Sequence, residues 1–419
     1  MRNIRLVVVF AIVYVDMLGV GIAYPVLPRL LQQFQHGSIV QASYLFGLLG
    51  SAYALTQFLF APLFGALSDC FGRRPVMLLA LAGSAVLYLM TAFAPGIAML
   101  ALARLLAGVM GGSFTSAGAY LADITPPEKR AQSFGLIGAA FGFGLITGPV
   151  VGGLLGDIDL HLPFLVAGIL CAVNVGFGFF ALPESLAPQN RRPFHIAEAN
   201  PVGAILEIGR YAAIYRLLIV FLIATFANRV GEMVWPLYTA YRFHWSSFQI
   251  GLSLAAAGVI FVTGQGWFTR ILLPRIGERR AILTGLGVSV LVAIGYGMVT
   301  KGWMLYAVMP FAISGWTVAQ PAVQGLMSRA VPADQQGLLQ GAMASITNLT
   351  SIGGPVVWSS LFGYFVSPAA PAIVPGAAFF VSALLFLVAL VLAVRWEGAT
   401  LAEPAVAERS SRLHEVPIA

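Results

Sequence analysis

From Pro75 to Ala94, and again from Pro371 to Val394, the chain runs for twenty residues or more without a charge. At a rise of about 1.5 Å per residue, each run is long enough to cross a hydrocarbon core roughly 30 Å thick as a helix. The composition agrees: 59% of residues are hydrophobic, 9% are charged and mean hydropathy is +0.88, whereas soluble domains carry about 25% charge. The first apolar stretch begins near Leu6 and holds Asp16 near its middle. No small-residue cleavage site follows a short apolar core, so it reads as helix one and not as a removed signal.

Apolar runs set against charged or Pro/Gly breaks give twelve spans. They start near Leu6, Tyr44, Pro75, Ile97, Ala131 and Pro163, then Leu217, Gln249, Ala281, Trp303, Gly337 and Ala370. Both termini then share one side with Arg73/Arg74, Lys129/Arg130, Arg191/Arg192 and Arg275/Arg279/Arg280, while the opposite loops offer Arg29, Arg242 and Lys301. The positive-inside rule makes the termini cytoplasmic. A sequence pI near 9.6 therefore reflects membrane orientation, because the Arg residues are scattered among spans and form no basic face for nucleic acid. Cys70 and Cys171 fall at a loop end and in a span, which excludes a disulfide framework. The five His residues lie in loops or a tail without metal-ligand spacing, so neither metal nor other cofactor is expected.

Three landmarks recur 206 positions apart: Arg74 with Arg280, Glu128 with Asp334, and Pro149 with Pro355. A shared, insertion-free offset divides the chain into two parallel six-span repeats. The expected organisation is an N-terminal bundle over 1–183, a Pro-rich, charged linker over 184–216, a C-terminal bundle over 217–395 and a cytoplasmic tail over 396–419. Such repeats hold a transported molecule between them and rock about it.

After span two comes Gly65-Ala-Leu-Ser-Asp69-Cys-Phe-Gly72-Arg73-Arg74-Pro75. Gly65 allows close helix approach, Gly72 a tight turn and Pro75 a helix start. Asp69 can face a helix N-terminus or an Arg, as an ionic latch that breaks when the halves rock. Span four carries Arg104 in otherwise uncharged surroundings, where an Arg needs a partner or a wet cavity. Span five holds Gly138, Gly142 and Gly144, then Gly148-Pro149-Val-Val-Gly152-Gly153, a packing groove beside a helix bend.

Among the acids, Asp16 and Glu232 fall inside spans and are candidate proton carriers, because an intramembrane carboxyl is costly when charged. A permanent buried pair with Arg104 is the alternative for Asp16. Arg229 and Glu232 are three residues apart and share a helix face, so a self-neutralising pair stands beside a functional one. Trp235, Tyr238 and Tyr241 follow on nearby faces and can line an amphipathic pocket or anchor the helix at an interface. Gln57, Asn174, Asn228, Gln265, Gln320, Gln324 and Asn348 divide between interhelical hydrogen bonding and ligand contact.

The Gly65–Pro75 run resembles the loop signature of the major facilitator superfamily, and the run around Asp16 from Val15 to Pro28 its first-helix motif. The Arg104 segment resembles the fourth-helix motif, in which the Arg serves proton transfer or holds a first-helix group. The Gly144–Gly153 pattern resembles the fifth-helix signature of antiporters. Further likeness, through Tyr24-Pro25-Val26-Leu27-Pro28, Tyr120-Leu-Ala-Asp123, Arg242-Phe-His-Trp245 and Leu339-Gln-Gly341, points to the drug/proton antiporters and within them to the tetracycline/proton group. The resemblance implies a twelve-helix major facilitator fold acting as a monomer in a bacterial inner membrane. The sequence departs from that group at Leu87, where an acid precedes the Tyr, at Phe261 in place of a His and at Ser289 in place of an acid. The expected function is proton-coupled export of a small organic molecule or drug. Alternatives are a dedicated exporter or importer of a metabolite such as a siderophore, and a non-transporting receptor or scaffold. No nucleophile–base set, phosphate-cradling loop or metal cluster supports an enzyme, so an ion gradient and not ATP is the expected energy source.

Overall fold

The computed structural model of the protein describes residues 2–111, 113–191, 212–332 and 335–395; the middle of the expected linker and the tail 396–419 lie outside them. The described chain is helical in twelve passages. In the first half these are α1 (Arg2–Ala23), α2 (Ile39–Phe71), α3 (Arg73–Ala92), α4 (Ile97–Met110 continued by Ser113–Ile124), α5 (Arg130–Ile158) and α6 (Leu162–Ala181). The second half contains α7 (Ala212–Phe243), α8 (Ser247–Thr263, a π-turn at Gly264–Phe268, then Thr269–Ile276) and α9 (Glu278–Met298). It continues with α10 (Gly302–Val308, a 3-10 turn at Met309–Ser314, then Trp316–Arg329), α11 (Gln336–Phe365) and α12 (Ala377–Val394). Among the described residues, ten helical stretches are long and apolar enough to cross a membrane. The divided α4 and the Ser-, Thr- and Gly-rich α11 complete the twelve.

Three boundaries differ from the sequence reading by five residues or more, and one is the second passage, which begins at Ile39 and not near Tyr44. The last passage starts at Ala377 and not near Ala370, because Pro368, Pro371 and Pro375 cannot donate to a helix ladder. The chain turns there instead, with Ala370 N donating to Ser367 O and Val374 N to Phe365 O. α7 begins at Ala212, inside the segment read as linker.

The halves repeat one another. α1 packs on α5 and α6 as α7 packs on α11 and α12, and α3 packs on α4 and α6 as α9 packs on α10 and α12. Gly72 and Gly277 stand at the starts of α3 and α9 with φ of 109° and 75°, a conformation that glycine adopts without steric cost. Even an ion pair recurs with its sign reversed. Arg73 at the start of α3 meets Asp123 at the end of α4 at 3.3 Å, while Glu278 at the start of α9 pairs with Arg329 at the end of α10.

The halves meet along α5–α8 and α2–α11, with the contacts gathered away from the terminal face, the one that carries Arg2 and Arg395. On α5 and α8, a Cβ on Gly251 would strike Pro149 O, and one on Gly153 would strike Ser247 and Phe248. On α2 and α11, Gly47 and Gly50 lie against Pro355, and Ser51 Oγ accepts from Val356 N at 3.1 Å. Toward the terminal face the passages part: Gly65 on α2, Gly135 and Gly138 on α5, Gly266 in α8 and Gly337 on α11 all face open space. The close contacts found between the halves therefore lie toward the far face.

A polar clasp crosses the closed end. Asp157, in the last turn of α5, accepts from Ser247 N at 2.7 Å and Phe248 N at 3.2 Å, the free N–H groups at the start of α8. A carboxylate is favoured there by the helix dipole. Arg29 pairs with Asp157 at 3.4 Å and donates across the halves to Ser247 Oγ and Trp245 O. Losing the charged acceptor from this half-exposed set costs about 1.5 kcal/mol, close to tenfold in population. Spin labels can be placed at the exposed positions Gln41 and Ile373, with Cys70 and Cys171 replaced by serine. Asp157→Ala is expected to increase the long-distance population in their electron-spin distance distribution; an unchanged distribution removes the clasp from the closure.

Candidate functional site

In the first half the polar groups converge on Asp16, which is buried at 7% exposure on α1. Tyr53 of α2 and Tyr88 of α3 lie within electrostatic reach of both Asp16 and Arg104. Arg104, on α4, places its guanidinium 5.9 Å from the centre of the Phe164 ring of α6. Its Nε and Nη2 are buried without a hydrogen-bond partner among the described residues. A cation held against an aromatic face with unused donors can donate to an anionic or carbonyl oxygen.

In the second half Arg229 donates through Nη1 to Glu232 Oε2 at 2.6 Å and through Nη2 to Ser351 Oγ of α11 at 2.7 Å. The local pair read from the sequence is formed, and Glu232 keeps 48% of its side chain exposed. The aromatic residues that follow are packed inside the second half. Trp235 Nε1 donates to Ser253 Oγ at 2.9 Å, and the fully buried Tyr238 donates to Tyr296 O at 2.8 Å. Gln57 reaches Gly111 O at 3.5 Å, tying α2 to α4, and Asn174 donates to Ile12 O at 3.0 Å, tying α6 to α1. Each such interhelical bond contributes about 0.6 kcal/mol in a membrane protein.

The glycine pattern of α5 has two faces. Gly144, Gly148 and Gly152, one helical turn apart, lie against the α1 backbone at Tyr14–Leu18, Gly21 and Ile22. Pro149 and Gly153 face α8 in the other half. One short segment therefore sets both the wall that carries Asp16 and the seam between the halves.

The loop motif builds a third polar group, at the terminal face. Arg73 binds Asp69 at 2.5 Å, Asp123 at 3.3 Å and Ser68 Oγ at 2.6 Å, and Arg74 donates to Phe179 O at 2.5 Å. Glu184, from the first residues of the expected linker, accepts from Arg73 N at 2.9 Å and Arg74 N at 3.3 Å, capping α3. Gly72 leaves room for that carboxylate, and Gly65 faces open space. Among the described residues the partners of this network all precede the second half, so there it braces the first bundle.

A family model described as the Major Facilitator Superfamily matches residues 9–355. The chain belongs to the major facilitator superfamily. It is 40% identical over 400 residues to the class C tetracycline resistance protein of Escherichia coli, covering 95% of this chain and 99% of that one. With the Escherichia coli class B protein it shares 34% over 357 residues, 85% and 88% of the two chains. Among solved structures it resembles the human organic anion transporter MFSD10 with a TM-score of 0.66 and 26% identity, over 94% of this chain and 99% of that one. The nucleoside transporter NupG, at 14% identity and a TM-score of 0.76 over 94% and 99%, shares the fold.

As a superfamily member the protein is a multi-pass membrane transporter of small molecules and not an enzyme. Its site contains residues the motifs did not single out: Tyr53, Tyr88, Ser351, the clasp residues Arg29 and Asp157, and the cap Glu184. None of these carried a usable sequence signal, since even Glu184, just past the end of α6, caps α3 from 111 positions away. Glycine packing gives a direct test of the superfamily scaffold. A Cβ on Gly152 meets the Ile22 backbone, whereas one on Gly138 meets nothing. Gly152→Val should lower the melting temperature in detergent by an amount equivalent to about 1–3 kcal/mol, and Gly138→Val should change it by under about 0.5 kcal/mol.

Proposed function

We propose that the protein is a proton-coupled exporter of small, partly apolar organic molecules, working as a monomer in a bacterial inner membrane with both termini cytoplasmic. The observation that carries this reading is the burial of Asp16 on α1, within electrostatic reach of Tyr53 and Tyr88, which in turn reach Arg104. With the terminal face cytoplasmic, the structure is the inward-open state of an alternating-access cycle. Cargo enters from the cytoplasm and meets Asp16 and Arg104 on one side, Arg229 and Glu232 on the other. A carboxylate at this depth is costly while charged and tolerated once protonated, so a proton taken from outside onto Asp16 favours return to the inward-open state. Cargo binding then favours its release inside. Tetracycline resistance proteins among the relatives support drug efflux as the class of activity. Leu87, Phe261 and Ser289 stand where the resemblance leads one to expect titratable groups, which supports a cargo pocket of different chemistry.

Proteoliposomes with an imposed proton gradient test the coupling, with tetracycline as the first compound of a drug panel. Asp16→Asn should abolish gradient-driven accumulation while leaving cargo binding within a few-fold; unchanged accumulation removes Asp16 from the mechanism. The Arg229–Ser351 bond favours a second reading, a dedicated carrier of a carboxylate-bearing metabolite. That reading requires Arg229→Gln to weaken binding more than Glu232→Gln, and the reverse order indicates a cationic cargo.

A further inference from the structure

Arg229 has two of its three nitrogens fixed, by Glu232 and Ser351. The third, Nε, is buried without a hydrogen-bond partner among the described residues. The Tyr24 hydroxyl, at the exit of α1 in the opposite half, is likewise buried and unpartnered, and it lies within electrostatic reach of both Arg229 and Glu232. The neighbouring residues knit the halves together here: Val26 and Leu27 after Tyr24 share one buried cluster with Val230, Val234 and Trp358. Gly354 on α11 has the Arg229 stem against it, where a side chain would press at 3.3 Å.

A buried donor without an acceptor costs about 1–3 kcal/mol. Two such donors, one from each half, are retained at least cost where a ligand supplies the missing acceptor. The charge balance restricts that ligand further. Arg229 and Glu232 neutralise one another, so a purely anionic or purely cationic guest leaves an uncompensated charge in a poorly solvated site. A guest carrying both charges does not. We propose that the Tyr24 hydroxyl and Arg229 Nε together bind an anionic oxygen of the cargo while the half-exposed Glu232 takes its cationic nitrogen, making a subsite for amphoteric molecules that spans the two halves. The subsite deepens, and rests on, the exporter reading above; Tyr24 is its specificity-determining residue in the first half.

Equilibrium binding to the purified full-length protein in lipid nanodiscs, without any gradient, tests it by fluorescence anisotropy. The probes are rhodamine B, which carries a carboxylate and a cationic nitrogen, and its ethyl ester, which keeps only the cation. The wild type should bind rhodamine B about tenfold more tightly than the ester, the equivalent of one charge-assisted hydrogen bond. Tyr24→Phe, which removes one oxygen and keeps the ring, should remove most of that preference and leave ester binding within about twofold. Glu232→Gln should weaken both dyes. Arg229→Gln should act like Tyr24→Phe, and if it fails to fold, Tyr24→Phe decides alone. Equal binding of the two dyes, no saturable binding of rhodamine B, or an unaltered preference in Tyr24→Phe overturns the subsite. Because no gradient is applied, those results leave the export reading to its transport assay, and absent transport with intact dye preference overturns export alone.

Discussion

Lipid tails give apolar helices no hydrophobic reason to prefer one another, so close backbone packing has to hold the bundle together. In this protein α5 concentrates that packing. Gly144, Gly148 and Gly152 bring its backbone against α1, while Pro149 and Gly153 press against the start of α8. The first contact fixes the helix that carries Asp16, and the second fixes the seam about which the halves move. The Pro149 position recurs at Pro355 on α11, which packs on Gly47 and Gly50 of α2, so two pseudo-equivalent seams bracket the transport path.

Around those seams the polar groups divide their work by position. Those at the ends of helices hold conformation: Asp157 and Arg29 across the far face, and the Asp69–Arg73–Asp123 network with Glu184 inside the first bundle. The groups at depth hold chemistry. Arg104, Arg229 and Tyr24 keep unpaired donors there, an expensive arrangement in a bundle interior unless cargo completes it. Asp157, Arg29 and Arg73 are bonded in this state, whereas Arg104 Nε and Nη2, Arg229 Nε and the Tyr24 hydroxyl lack partners among the described residues.

Much of the fold was legible because membrane helices write themselves as apolar runs, and because the repeat offset needed only a few landmarks. The Arg229–Glu232 pair was legible from its three-residue spacing. Boundaries failed where proline interrupts an apolar run, as before Ala377. The site was legible only in part, for a physical reason: a Tyr or Ser among apolar neighbours has no period, and its partner lies on another helix. Tyr53, Tyr88 and Ser351 became site residues through tertiary placement alone. Trp235 and Tyr238 had the composition of a pocket wall, yet their polar atoms are bonded within the second half. Arg29, in the short helix Leu27–Phe34 that follows α1, and Asp157, in the last turn of α5, stand 128 positions apart, and nothing in the sequence around either announces the other.

In the proposed export cycle, cargo and a proton on Asp16 exclude one another in the inward-open state. Proton release on cargo binding, recorded with purified protein in weakly buffered solution, tests it directly. Release is expected from the wild type on addition of a transported compound, and none from Asp16→Asn at saturating cargo. Saturable cargo binding by the wild type without release, or equal release from the variant, would contradict it.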